Sequence, residues 1–505
     1  MSAYNQPTAK RQKVREPRVD NVDYFQGIEK VEYNNMASPA ESGSYRYYSA
    51  SERVHSRPMD DWLKYSVSLT DFRSNDRDYH EGTSQANNLF TSNSGSDVHG
   101  RSTHSRPWDD GTDSMDNHKR HIKALFDLCA KLGVKYWTAF DSDLVPYSEG
   151  WEENKTHWDD VTEYIQELAQ RYHVKLLWIA PDLHSHPRYV SGAFTSNDAS
   201  TFIQAATQIK RCLEAAQRLN AECFLIWPYR EGYHTLFQTD VAREIKLFAK
   251  LLKLTAEYKD RLNYRCQLLI MPYYNSYQNR NFYGGWQHHQ WRERDLVHTY
   301  MWDVTSCLYL LKNYNLDRYY KVSVTPGHHM YMANVYNMLG GVSVTNDWDH
   351  YDSRTLTLMM KCIVDQGSTP PGGINLKLVP RRDSDLRELT TTYVKYIDAL
   401  AKALRMACTV IAEQIFSKHL QILKNLIFKE FKWNRGIPHR KPSVSEVTRN
   451  PYTPFLIFPT PDPRTTLKFL TPKRPATNVT LRTTAESDPG SSAAISLWRN
   501  VKNII

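Results

Sequence analysis

The stretch YWTAFDSDLVPYSEG, residues 136–150, ends an apolar, aromatic-rich run in two carboxylates one residue apart, Asp141 and Asp143. Paired carboxylates after a strand can divide the work of a general acid and base, or hold a hard cation. A carboxylate in that place more commonly caps the next helix or meets an arginine. The residue before the pair is Phe140, which can neither move a proton nor ligate a metal. Three histidine pairs offer imidazole: His184 and His186, His288 and His289, and His328 and His329. None has the Cys/His spacing of a zinc site, so surface or satisfied core roles are expected of them. Arg230 and Glu231, in WPYREG, read as a buried pair that braces the fold.

The elements that must position these groups alternate. Helical patterns at 115–132, 157–172, 198–219, 241–262, 296–316 and 353–366 are separated by short β-branched or aromatic runs. Those runs are VKYWTAF, VKLLWIA, AECFLIW, CQLLIM, YKVSVT, GGVSVT and GGINLKL. Strands alternating with helices imply βαβ units and a parallel sheet. Seven runs, with an eighth strand near 44–49 (SYRYYS), predict a closed TIM (β/α)8 barrel with its chemistry at the C-terminal strand ends. The polar stretch 84–114 reads as a long surface loop. The expected division is a basic N-terminal arm (1–23), the barrel (24–385), a helical segment free of Gly and Pro (386–435), and an extended arm (436–505) with ten prolines.

The strand ends also carry a resemblance. YFQGIEKVEYNN (24–35), GTDSM (111–115), AFDSDLVPYSEG (139–150), LLWIAPDLHSHPRYVSGAFTSND (176–198), WPYREGYHTLFQTDV (227–241), PGHHM (326–330) and GGINLKLVPRR (372–382) are similar to xylose isomerase. The resemblance runs from about Tyr24 to about residue 410. It implies a two-metal aldose–ketose isomerase, an intramolecular oxidoreductase in which Mg²⁺, Mn²⁺ or Co²⁺ assists a hydride shift on an open-chain sugar. The matching positions are mostly substituted. Asp143 keeps an acid of the family's turn, but Phe140 stands where the family has its catalytic histidine. Met271 replaces a ligating glutamate, and Tyr273 replaces the lysine that polarises the substrate carbonyl. Thr325 replaces the glutamate that bridges both metals, while the histidine ligand survives as His328. Ser343 and Lys377 replace two aspartates. The family's further ligand pair has no clean counterpart; Asp347, Asp349 and Asp352 lie nearby, in a shortened segment. Trp178 and Trp227 match aromatics that line the family's sugar pocket.

These substitutions lead to the expectation of a pseudoenzyme with no metal or other cofactor. Lys377 is expected to place an ammonium near the former metal and to balance Asp349 or Glu231. The aromatic-rich segment 272–291, longer than the family's loop, is expected to plug the pocket or to offer an interaction surface. The alternative is a Mg²⁺- or Mn²⁺-dependent isomerase with a rebuilt site.

Charge locates the partners. Of the +9 net charge over 505 residues, 418–505 carry +10 (15 basic against 5 acidic), and 1–20 carry +3 (5 against 2). The body between is nearly neutral. Basic arms suit an anionic partner. Lys418, Arg435, Arg440, Lys441, Arg464, Lys468, Lys473 and Arg474 are the candidate contacts. RNA in a ribonucleoprotein such as a ribosome edges ahead of an acidic protein surface. The chain is thus expected to be a structural subunit bound to other proteins, and the family resemblance implies a homo-oligomer. Seven scattered cysteines without a CxxC pair suit buried thiols in a reducing compartment. No signal peptide and no apolar stretch of about 18 residues is found, so membrane insertion is not expected and the location is intracellular. The opening MSAYNQPTAKRQKVREPR leaves mitochondrion and cytoplasm both open, and its PTAKRQKV permits a nuclear signal.

Overall fold

The computed structural model describes residues 22–38, 43–72, 106–148, 150–272, 298–345, 353–378 and 384–421. The chain divides into two units, 1–420 and 421–505, and the account below concerns the first. Eight parallel strands close into one barrel: β1 (Tyr65–Ser68), β2 (Tyr136–Phe140), β3 (Lys175–Ala180), β4 (Cys223–Ile226), β5 (Gln267–Ile270), β6 (Tyr320–Val324), β7 (Leu339–Thr345) and β8 (Ile374–Lys377). Each strand is followed by a helix: α1 (Met115–Leu132), α2 (Trp151–Tyr172), α3 (Ala199–Arg218), α4 (Val241–Arg261), α5 (Val304–Asn313), α6 (His328–Val335), α7 (Ser353–Asp365) and α8 (Leu386–Ala412). This is the (β/α)8 barrel that the alternation predicts.

The helices start where short polar side chains can take up orphan amides. Ser114 accepts from Asn117 N, Asp240 from Arg243 N, Asp303 from Ser306 N and Asp385 from Glu388 N. The outward residues of the strands join the helices in the main core, among them Val67, Trp137, Ile226, Val322, Val344 and Leu376. The inward residues form a separate small cluster of Phe140, Leu177, Trp178, Ala180, Cys223, Leu225 and Leu269. Gly373 lets β8 enter the barrel. Its φ is 62°, and a Cβ there would lie 2.5 Å from the Lys64 carbonyl oxygen.

Three expectations are corrected. The strand near 44–49 is not in the barrel: Ser44–Tyr45 pairs with Glu32–Tyr33 in a separate two-stranded sheet. The eighth barrel strand is β1, whose YSVS lacks an apolar run because its inward Ser66 hydrogen-bonds Asn375 Oδ1 on the neighbouring strand β8 (3.1 Å). The helix expected over 296–316 is α5 alone. His298–Thr299 pairs with Gly232–Tyr233, and Asp303 caps the helix five residues further on. Of the expected loop 84–114, the described part holds Trp108, 1% exposed and packed on Tyr24, Phe25 and Phe72. Arg106 and Trp108 thus belong to the core, while Pro107 and 110–114 are exposed as expected of a surface loop.

α8 packs against α7 and supplies the eighth helix of the barrel, which therefore reaches Ala412. Its Asp398 accepts from the amides of Tyr47 and Tyr48, so the helix is tied to the N-terminal part of the barrel domain. The chain bends at Gln414 (φ 54°) and is helical again from 415. The N-terminal arm to residue 21, the aromatic segment from Tyr273 to residue 297 (with His288 and His289), Asp347, Asp349, Asp352, Arg435 and the arm 436–505 lie outside the described residues.

Candidate functional site

Strand alternation decides which side chains meet at the barrel mouth. In β8, Ile374 and Leu376 point to the helices, so Asn375 and Lys377 point inward. Asn375 Oδ1 accepts from Ser66 Oγ (3.1 Å) and Thr138 Oγ1 (2.8 Å), linking the inner faces of β8, β1 and β2. Ser343 pairs in register with Asn375, and Thr345 with Lys377. Thr325 follows Ser323 at the same parity on β6, and Met271 packs on the inner cluster at the end of β5. The sequence-predicted positions Met271, Thr325, Ser343, Lys377 and Phe140 therefore all belong to the inner face. His328 does not join them in burial: it opens α6 and is exposed.

The two opening carboxylates are both buried, and both hold the fold. Asp143 Oδ2 accepts from Phe140 N (2.9 Å) and Thr70 Oγ1 (2.8 Å), tying β2 to the turn after β1. Asp141 Oδ1 accepts from Ser142 N and Asp182 N (both 2.7 Å), and its Oδ2 from Gln208 Nε2 (2.8 Å). Tyr189 OH donates to Gln208 Oε1 (2.8 Å) and so fixes that amide's orientation. Burial, then the neighbouring Asp182 charge, pushes the Asp141 carboxyl up to about 7. Asp182 instead falls to about 2: burial would raise it, but the His184 imidazole and the hydrogen bonds from Ser185 and Ser142 outweigh that. Asp141 thus holds a proton to higher pH than its buried neighbour Asp182, which stays ionised.

Aromatic rings fill the mouth. Phe140 lies 6.1 Å from Trp178, 5.9 Å from Trp227 and 5.7 Å from His184, measured between ring centroids. His184 stands 4.8 Å from Trp227 and 5.4 Å from Tyr229, with Nδ1 3.0 Å from Asp182 Oδ1. Lys377 Nζ lies 5.8 Å from the Trp227 ring centroid, a cation–π distance. Burial, joined by the charges of Arg230 and Lys377, lowers the His184 pKa and favours the neutral ring against the pull of Asp182.

Glu231 corrects the expectation of a pair buried together with Arg230. It is 1% exposed, whereas Arg230 is half-buried. Its carboxylate accepts from Ala193 N (2.8 Å), Phe194 N (3.1 Å), Thr195 N (2.9 Å) and Thr195 Oγ1 (2.7 Å). The turn that offers these donors needs Gly192, whose φ is 86° and whose absent Cβ would lie 2.8 Å from Glu231 Oε2. His186 likewise serves its own turn, accepting from Arg188 N (3.1 Å) and Nε (3.0 Å). Lys418 is exposed on the helix after the Gln414 bend.

A hard divalent cation needs several oxygens, most of them anionic. Met271, Thr325, Ser343 and Lys377 offer a thioether, two hydroxyls and an ammonium, a donor set that does not fit. Among the described residues no group of three His, Cys, Asp or Glu side chains is placed to hold a metal ion. Among them, too, no helix is long and apolar enough to cross a membrane.

Sequence reasoning missed the joining of Asp141, Asp182 and Gln208. A signal existed: β2 and β3 are adjacent, with Phe140 opposite Ala180, so the acids just beyond those residues must be neighbours.

Comparison with known proteins follows the barrel. The chain is 28% identical over 418 residues to a xylose isomerase of Arabidopsis thaliana, covering 78% of this chain and 80% of that one. It is 29% identical over 417 residues to a xylose isomerase of Caldicellulosiruptor bescii, covering 79% and 87%. Among solved structures, a xylose isomerase domain protein from Alicyclobacillus acidocaldarius aligns over 58% of this chain and 93% of its own, at 11% identity and a TM-score of 0.37. No family model matches the chain.

Proposed function

We propose that this chain, similar to xylose isomerases along most of its length, is a catalytically inactive barrel that serves as a structural and interaction subunit of a larger assembly. One observation carries the reading: the inner-face positions Met271, Thr325, Ser343 and Lys377 present no carboxylate to the mouth. Against the family's pattern, three neutral replacements and one lysine remove about five units of negative charge. Each unit contributes several kcal/mol to holding a cation, roughly 4 at about 4 Å and an effective dielectric of 20. His328 and Asp143, the retained positions, do not offset that loss, since His328 is exposed and Asp143 holds a turn.

The second reading, a Mg²⁺- or Mn²⁺-dependent isomerase of xylose-like aldoses, is favoured by the sequence likeness itself. Metal content of the purified full chain, measured with aldose-to-ketose conversion, separates the two. Substoichiometric metal and no turnover are expected. Stoichiometric Mg²⁺ or Mn²⁺ with turnover would overturn the inactive reading.

The assembly we infer is a ribonucleoprotein such as a ribosome. Between Lys418 and Arg474 the sequence has twelve basic and three acidic residues, with aromatics interspersed. Basic groups neutralise phosphates, and aromatic rings stack on unpaired bases. Association with structured RNA should weaken steeply with salt, and should fall when Arg440, Lys441, Lys473 and Arg474 are neutralised together. Binding that ignores salt but fails when Phe455, Leu456 and Phe458 become Ser would point to a protein groove instead.

A further inference from the structure

The barrel is nearly neutral in sum, yet its outer helices divide the charge. α2 carries six acidic and two basic residues, whereas α4 carries six basic and three acidic. α4 buries Phe248, Leu251, Leu252 and Ala256 against the barrel. Arg243, Lys246, Lys250 and Lys253 follow one another at three or four residues, so they share its outer face, and all four are exposed. At 1.5 Å per residue the stripe runs for about 15 Å. The lysine of α3 and the lysine of α7 are each matched one turn on, Lys210 by Glu214 and Lys361 by Asp365. One turn on from Arg243, Lys246 and Lys250 stand Leu247, Lys250 and Leu254. Among the described residues Lys253 alone of the four meets a carboxylate, that of Glu257 at 3.9 Å. Like charges at this spacing repel within the helix, and nothing in α4 offsets the first three.

We propose that the outer face of α4 docks the phosphate backbone of an RNA duplex, as a contact of the barrel itself and separate from the basic arm. Charge complementarity selects a polyanion. The make-up of the face selects a nucleic acid over an acidic protein: protein interfaces are built on apolar and aromatic anchors and are depleted in lysine, and α4 exposes Leu254 as its one large apolar side chain. A phosphate backbone needs only cations set along a line, and such contacts position the partner without reading its sequence. α2, on the far side of α3, presents the opposite charge and repels the same backbone, so the contact also fixes which side of the barrel faces the RNA. The choice of RNA as the polyanion rests on the ribonucleoprotein reading; the unmatched stripe does not.

The test is lysine acetylation of the full chain with and without a random-sequence RNA duplex at about 0.15 M salt, read residue by residue by mass spectrometry. Saturating duplex is expected to slow acetylation of Lys246 and Lys250 at least fivefold and to leave Lys155, exposed on α2, unchanged. Lys246→Gln, Lys250→Gln and Lys253→Gln together keep the helix propensity. They should weaken duplex binding at least tenfold and lower the slope of log K against log[salt] by about 2 to 3. Protection confined to arm lysines such as Lys441 and Lys473 would overturn the proposal and leave the ribonucleoprotein reading standing. Protection of Lys246 and Lys250 with none in the arm would uphold the stripe and remove the arm as the RNA contact. No protection of the α4 lysines, or equal protection by poly-glutamate, would also overturn it, the latter in favour of an acidic protein.

Discussion

Replacing Glu231 by alanine tests how the mouth is built. The side chain crosses from the loop after β4 to the turn after β3, where one hydroxyl and three backbone amides donate to it. Ala193, Phe194 and Thr195 are all buried, so the truncation strands three amides away from solvent. Each orphaned donor costs about 1–3 kcal/mol. Two effects pull the total to the low end. Water can enter the vacated volume, and the carboxylate itself is costly to bury, as its raised pKa shows. The expected loss is about 3 kcal/mol. Glu244 supplies the control: it is similarly buried, but among the described residues its donors are side chains, Tyr300 OH (2.6 Å) and Asn197 Nδ2 (3.4 Å). Glu244→Ala should cost about 1 kcal/mol. Urea unfolding followed by circular dichroism reads both. If Glu231→Ala falls within about 1 kcal/mol of the parent and matches Glu244→Ala, the amide-cradle argument is wrong.

Other tests address the carboxylates, the metal positions and the arm. The Asp141 carboxyl rises from 3.8 to about 7 in the fold, so the folded chain keeps a proton that the unfolded chain releases. Its contribution to stability is full below about pH 4 and is lost as pH climbs to about 7; Asp141→Asn should flatten the fall in urea midpoint between pH 5 and 7, and an unchanged slope would count against a raised Asp141 carboxyl. Lys377→Asp alone should restore no aldose–ketose conversion with Mg²⁺ or Mn²⁺, since Met271, Thr325 and Tyr273 remain; measurable turnover would show a site much closer to function. Deleting 436–505 should leave a barrel that melts cooperatively, because the barrel core closes with α8; loss of cooperativity on truncation would contradict this.

The barrel was legible because burial imposes periodicity. Seven strands announce themselves as apolar runs, since their outward faces meet helices and much of their inward faces is apolar too. β1 did not, because its inward Ser66 and Ser68 fill a small polar gap completed by Asn375 and Thr138. A polar network across a barrel is a relation between residues more than 200 positions apart, and no window on the sequence contains it. The same limit hid the role of Glu231. Next to Arg230 in sequence it suggests an ion pair, yet its acceptor oxygens face a turn some 36 residues upstream. The helix caps are local relations by contrast: Ser114, Asp240, Asp303 and Asp385 sit one residue before their helices.

Parity links the site substitutions into one physical change. Residues two apart on a strand share a face, so Met271, Thr325, Ser343 and Lys377 act on a common volume. On the inactive-subunit reading, carboxylates converging there without a metal would repel one another, by roughly 1 kcal/mol per pair at 4 Å in water and about 4 at an effective dielectric of 20. Each loss of a carboxylate then relieves the others, and a lysine relieves them twice over. Once the charge has gone, apolar and aromatic side chains can occupy the mouth, and Phe140 against Trp178, Trp227 and His184 does so. The β2 and β3 turns need not move, because Asp143 and Asp141 take their donors from the backbone, Thr70 and Gln208. On that reading the mouth keeps its fold although the carboxylate charge has gone from its inner face.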